Sequence, residues 1–66
     1  MNNKYKILVV EDENNIRNII TALLEANSFQ AISAESCAGG LLMFNSHRPD
    51  LVILDLTFDI FDLFFA

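Results

Sequence analysis

Two unbroken aliphatic runs, residues 7–10 and 51–54, stand out along the chain, and a weaker, mixed apolar stretch occupies 29–34. Runs this short and this rich in β-branched residues predict strands; the two strong ones read as buried on both faces. The first strand is expected over 4–10, ending at the acids Glu11, Asp12 and Glu13. The third is expected over 51–55, introduced by Pro49-Asp50 and closed by Asp55. Between the first two strands the pattern changes period. Ile16, Ile19, Ile20, Leu23 and Leu24 recur at three- and four-residue spacing, with polar residues between them. That predicts an amphipathic helix, with Asn14 or Asn15 as N-cap and an end near Asn27-Ser28. A second helix is expected from Cys37 to about Ser46, with Glu35-Ser36 supplying the turn and a candidate N-cap. Gly39-Gly40 weakens it by roughly 1 kcal/mol per glycine, which points to close helix–sheet packing. Residues 47–50 form the linker to the third strand.

The order is therefore β-α-β-α-β with short connections. Right-handed crossovers make such a sheet parallel. A doubly wound arrangement puts the first strand in the centre, giving strand order 2-1-3. The carboxyl ends of the first and third strands then lie side by side, at the edge where open α/β sheets bind ligands. Glu11, Asp12 and Asp55 are expected to meet there.

Carboxylates this close repel: two at 4 Å cost about 4 kcal/mol at an effective dielectric near 20. A fold keeps such a cluster for a cation, for a proton shared between acids, or for a role that outweighs the cost. Oxygen ligands select Mg²⁺, Ca²⁺ or Mn²⁺, and a sparse set completed by water suits Mg²⁺. Glu13 is better explained by the amino end of the helix.

Composition narrows the partners. The chain has 66 residues, 53% of them hydrophobic, and a net charge of -5 from nine acids and four bases. That length allows one small domain. The acidic balance argues against direct nucleic-acid binding. Cys37 is the only cysteine, so no disulfide framework or thiolate metal site is expected. It reads as a small, part-buried helix residue, and His47 as a solvated loop residue. No signal peptide is recognised and no apolar run is long enough to span a bilayer, so a cytoplasmic location and no membrane partner are expected.

Two stretches carry a resemblance. Residues 7–13 (Ile-Leu-Val-Val-Glu-Asp-Glu), followed by Ile16-Arg17, resemble the opening of a response-regulator receiver domain. Residues 48–56 (Arg-Pro-Asp-Leu-Val-Ile-Leu-Asp-Leu) resemble the same family's phosphoacceptor strand. Gly40-Leu41-Leu42 and residues 47–50 are similar to a branch that regulates potassium uptake. The resemblance implies a partial flavodoxin-like (CheY-like) α/β fold and a role in phosphorelay signalling rather than as an enzyme. Asp55 would be the nucleophile that takes a phosphoryl group from a sensor histidine kinase. Glu11, directly or through water, Asp12, Asp55 and the backbone carbonyl of Thr57 would hold Mg²⁺.

The pattern breaks after Leu56. The family's usual Pro and Gly are replaced by Asp59 and Leu63, and the tail 57–66 is apolar nearly throughout. Residues 1–66 are thus expected to be a truncated receiver, family-like over 4–56, with an out-of-register tail and impaired switching; sequencing the downstream DNA tests this. The Ser/Thr and Lys that the family's second half supplies are not in the pattern, and Lys4 and Lys6 lie at the wrong end of their strand. Two rivals are a haloacid-dehalogenase-type phosphatase, suggested by Leu51–Asp55 followed by Thr57, and an interaction fragment that pairs with a full receiver or kinase through its exposed sheet edge and tail, the same surfaces through which self-association is expected. The first leaves Glu11 and Asp12 unexplained.

Overall fold

A computed structural model describes residues 4–55 of the chain. It contains β1 (Lys6–Glu11), α1 (Asn14–Ala26), β2 (Gln30–Ala34), α2 (Cys37–His47) and β3 (Leu51–Asp55). The three strands form one parallel sheet in the order β2-β1-β3, as the sequence predicts.

The central position of β1 follows from its sequence. Ile7, Leu8, Val9 and Val10 can all be buried, because α1 and α2 both pack on β1 and β2. Side chains alternate across a strand. Leu8 and Val10 lie on the face with Ile32 and Ala34, where Cys37 and Met43 of α2 join them. Ile7 and Val9 occupy the other face. Gly40 is the close approach between α2 and the sheet. A Cβ built there would sit 2.9 Å from Cγ2 of Val10 and 3.3 Å from its Cγ1. The glycine is thus a packing requirement. Cys37, half-buried against this cluster, has the plain packing role expected of it.

The helices are capped locally. Ser36 caps α2, its hydroxyl accepting from the Gly39 N–H at 3.1 Å. The cap of α1 corrects the sequence reading. Glu13, not Asn14 or Asn15, is the N-cap, and its carboxylate accepts from the Asn15 N–H at 2.8 Å. Both asparagines are already helical. A glutamate reaches the free amides here and adds favourable charge at the helix amino end. The helix closes at Ala26 with Asn27 as C-cap, where the sequence places its end. At the far end of α2, His47 belongs to the helix rather than the linker. Arg48 follows it in the left-handed conformation (φ 51°), its N–H donating to the Phe44 carbonyl.

Two further expectations are corrected. The first strand runs one residue further than expected and includes Glu11, because that residue pairs in register with Asp55 of β3. β3 is not buried on both faces. Leu51, Val52 and Leu54 are 56%, 39% and 48% exposed. The cause is position: β3 has β1 on one side and no described strand on the other. Its aliphatic sequence is that of an inner strand, while its place among the described residues is an edge.

The amino end of the sheet is fastened by residues far apart in sequence. Asp50 accepts from the Lys6 N–H through its carboxylate and donates its own N–H to the Lys6 carbonyl, both at 2.8 Å. Lys6 Nζ donates to the His47 carbonyl at 3.0 Å. The exposed His47 thus contributes its backbone here. These bonds fix the register of β3 on β1, and through it the pairing at the opposite rim.

Candidate phosphoacceptor site

The carboxyl ends of β1 and β3 end level. Glu11 and Asp55 are register partners, and Asp12 follows Glu11 directly. Asp55, more than forty positions from Glu11 and Asp12 in sequence, therefore shares one rim of the sheet with them, as expected. Their environments differ. Asp12 and Asp55 are exposed, whereas Glu11 is only 3% exposed.

Glu11 is buried because the chain turns over it. Its Oε2 accepts from the Glu13 N–H at 2.9 Å, closing the turn between β1 and α1. Its backbone carbonyl accepts from Nη1 of Arg17, also at 2.9 Å. Its second carboxyl oxygen, Oε1, is buried and has no hydrogen-bond partner among the described residues. A buried polar atom without a partner costs about 1–3 kcal/mol, more if charged, so native proteins rarely keep one without a use for it.

The electrostatics of Glu11 follow from that setting. The Glu13 N–H favours the ionised carboxylate. Burial, and the neighbouring carboxyls of Asp12 and Asp55, oppose it and prevail, so the Glu11 pKa is raised above the ordinary glutamate value. The protein thus holds a proton-retentive acid beside two exposed acids, which is the signature of a site that wants positive charge.

The sign of the resulting pH dependence is definite. A raised folded-state pKa means that the native state keeps a proton the unfolded chain has released. The stability it contributes is complete below the unfolded value, near 4.5, and is lost as pH rises through the folded value. Glu11→Gln removes this loss. Its carbonyl oxygen can still accept from Glu13, and its amide can donate toward the Asp55 side. The variant is expected to be more stable than the wild type at pH 7 and no more stable at pH 4. Urea unfolding at the two pH values checks it; equal stability at pH 7 would show that the carboxylate is not under strain.

The metal-ligand set expected from sequence divides. Glu11, Asp12 and Asp55 lie on the rim. Thr57 lies outside the described residues, as do the tail and its off-pattern Asp59 and Leu63. Among the described residues no three His, Cys, Asp or Glu side chains form a ready-made metal cage. The donor chemistry nonetheless fits a hard cation of the Mg²⁺ kind. It consists of carboxylate oxygens with one buried oxygen left over, and Mg²⁺ keeps several waters instead of demanding a full protein cage. Sequence reasoning missed Arg17 as part of this site. Its position one helical turn after the acidic turn was the available signal.

Two cavities of roughly 400 Å³ flank the helices. One is lined by Lys4, Glu25, Phe29 and Gln30. The other, near the end of β2, is lined by Arg17, Ser33, Ala34, Glu35, Gly39 and Met43. Among the described residues, Asp55 lines neither of them.

Known proteins match this chain along most of its length. A family model for the response regulator receiver domain matches residues 7–62. The phosphate regulon transcriptional regulatory protein PhoB of Escherichia coli (strain K12) is 44% identical over 50 residues, covering 76% of this chain and 22% of that protein. The KDP operon transcriptional regulatory protein KdpE of the same organism is 42% identical over 50 residues, with the same coverage, in keeping with the likeness seen at residues 40–42 and 47–50. The probable transcriptional regulator ycf27 of Pyropia yezoensis is 42% identical over 55 residues, covering 83% of this chain and 23% of that protein. The chain thus spans about a fifth of the length of the curated relatives it matches. With its parallel 2-1-3 sheet and the acids at the ends of β1 and β3, the chain belongs to the response regulator receiver domain family.

Proposed function

We propose that this chain is the amino-terminal part of a phosphorelay receiver, in which Asp55 accepts a phosphoryl group from a phosphohistidine of a sensor kinase. The observation that carries this reading is the register pairing of Glu11 with Asp55, which sets a buried carboxyl, one of whose oxygens has no partner among the described residues, beside an exposed carboxylate. In the proposed transfer a carboxylate oxygen of Asp55 attacks phosphorus, the bond from phosphorus to the histidine nitrogen breaks, and that nitrogen keeps the electron pair. Asp55 is exposed and so accessible to a kinase. Glu11, Asp12 and Asp55, with the Thr57 carbonyl, would hold Mg²⁺. The ion, when bound, supplies positive charge that offsets charge on the transferring group and relieves the repulsion among the acids. Glu11 would offer it Oε1, while Oε2 keeps the turn in place by accepting from the Glu13 N–H. The chain acts here as a phosphoacceptor and not as a conventional enzyme.

The relatives named above are transcriptional regulators, and we read the parent protein as one, working in the cytoplasm. DNA binding is assigned to a part of that protein other than this acidic segment. Among the described residues no helix is long and apolar enough to cross a membrane. A phosphatase of the haloacid-dehalogenase type would leave the buried Glu11 and its free oxygen without a role.

The test is incubation of the chain with acetyl phosphate and Mg²⁺, followed by intact mass measurement. One added phosphoryl group is expected, lost in Asp55→Asn and strongly reduced by chelation of the metal. An unphosphorylated wild type, or equal labelling of the Asn variant, would overturn the assignment.

One observation favours a second reading. The outer edge of β3 is unpaired among the described residues and carries exposed Leu51, Val52 and Leu54. Such an edge invites pairing with a second copy of the chain. Sedimentation of the same samples separates the two readings: a dimer that Asp55→Asn leaves intact favours an interaction role, and a monomer excludes it.

A further inference from the structure

Arg17 is half-buried at the start of α1, and its bonds run back over the acidic turn. Its backbone N–H donates to the Glu13 carbonyl at 2.9 Å. Nη1 donates to the Glu11 carbonyl at 2.9 Å, and Nη2 donates to Oδ1 of Asn14. The first is the ordinary backbone bond of the helix; the side chain itself ties the Glu11 carbonyl to Asn14, across the turn that contains Glu13. Within that grip the Glu13 N–H holds Oε2 of Glu11, leaving Oε1 free.

The choice of acceptors is informative. A cation placed to neutralise an acidic cluster should bond a carboxylate, where the interaction is strongest. Arg17 instead directs both arms of its guanidinium to neutral oxygens, a backbone carbonyl and a side-chain amide. The planar fork suits two acceptors at a fixed separation, which a lysine ammonium cannot reproduce. Its contribution is geometric more than electrostatic.

We propose that Arg17 is a positioning residue of the phosphoacceptor site. It holds the turn from Glu11 to Asn14 so that the free oxygen of Glu11 stays on the rim shared with Asp55. The proposal rests on the reading of that rim as a Mg²⁺-assisted site, but part of its consequence does not need the metal.

The test uses the 66-residue chain with Arg17→Gln, Arg17→Lys and Asn14→Ala. Amide exchange is measured by NMR without metal, and Mg²⁺ is then titrated against the amide signals of Glu11, Asp12 and Asp55. In Arg17→Gln the Glu13 amide is expected to exchange about tenfold faster relative to the Leu8 and Val9 amides, the scale of one lost hydrogen bond. Mg²⁺ affinity is expected to fall severalfold. The sign discriminates, because removing a positive charge near a cation site would by Coulomb attraction alone strengthen binding. Arg17→Lys, which keeps the charge and loses the fork, should behave like Arg17→Gln. Asn14→Ala, which removes one anchor and leaves the charge, should give a smaller loss of both quantities.

Unchanged Glu13 exchange in Arg17→Gln overturns the proposal, as does an equal or higher Mg²⁺ affinity. Full rescue by Arg17→Lys also overturns it, since charge alone would then suffice. If the wild type gives no Mg²⁺ response while Arg17→Gln still loosens Glu13, the metal reading fails and the positioning role stands. Should Arg17→Gln unfold the whole chain, Asn14→Ala decides by the same two measurements.

Discussion

Leu8→Ala is expected to unfold most of the chain at room temperature. Leu8 is 1% exposed at the centre of β1, in contact with the cluster that α2 closes. Deleting a buried leucine side chain costs about 2–5 kcal/mol, depending on how far the cavity collapses. Natural domains hold only about 0.05–0.15 kcal/mol per residue in reserve, so a unit this small has little more than that to lose. Collapse is hindered here because β1 is held on both sides by β2 and β3. Leu41→Ala is the comparison. Leu41 is 63% exposed on α2, and its truncation should stay within about 0.5 kcal/mol of the wild type. Urea midpoints by circular dichroism measure both. Similar shifts for the two variants would mean that β1 is not the centre of the core.

The adjacent glycines of α2 should respond to substitution with opposite signs. At Gly40 an added Cβ meets both methyls of Val10, the nearer at 2.9 Å, and Val10 is itself 3% exposed in the central strand. Neither side can yield without moving the sheet. Overpacking of this kind costs about 1–3 kcal/mol for small additions. Gly40→Val adds more bulk and a branched Cβ that helices disfavour, so a loss of at least ~2 kcal/mol is expected. At Gly39 the same Cβ would meet Oγ of Ser36 at 3.4 Å and Cβ of Ala34 at 3.7 Å, which is ordinary contact. There the helix preference for alanine prevails, and Gly39→Ala should stabilise by roughly 0.5–1 kcal/mol. Thermal unfolding of Gly40→Val and Gly39→Ala settles the contrast. A stabilised Gly40→Val would show that α2 does not pack on β1 through Gly40.

The residues that could be read from sequence are those whose chemistry is stated locally. The aliphatic runs marked β1 and β3, the three- and four-residue spacing marked α1, and Ser36 marked the start of α2. Acids at the ends of two predicted strands were enough to place Glu11, Asp12 and Asp55 together, because short β-α-β connections leave little topological choice. Glu13 as cap was less legible, since asparagine is the commoner cap and the two residues after Glu13 are both asparagines. The exposure of β3 was not legible at all: an aliphatic strand reads the same whether one neighbour or two covers it.

What the amino-acid sequence determined by itself is the identity and order of the elements, and with them the parallel 2-1-3 sheet whose rim gathers the acids. These depend on side-chain period, turn chemistry and the handedness of crossovers, all of which act over short distances. Only the tertiary structure decided which acid is buried, which of its oxygens is left free, and that Arg17 grips the turn around it. Those facts depend on a register set at the far end of the sheet by Lys6 and Asp50, and on a helix laid back over the strand it follows. Burial and hydrogen-bond satisfaction are properties of the packed whole.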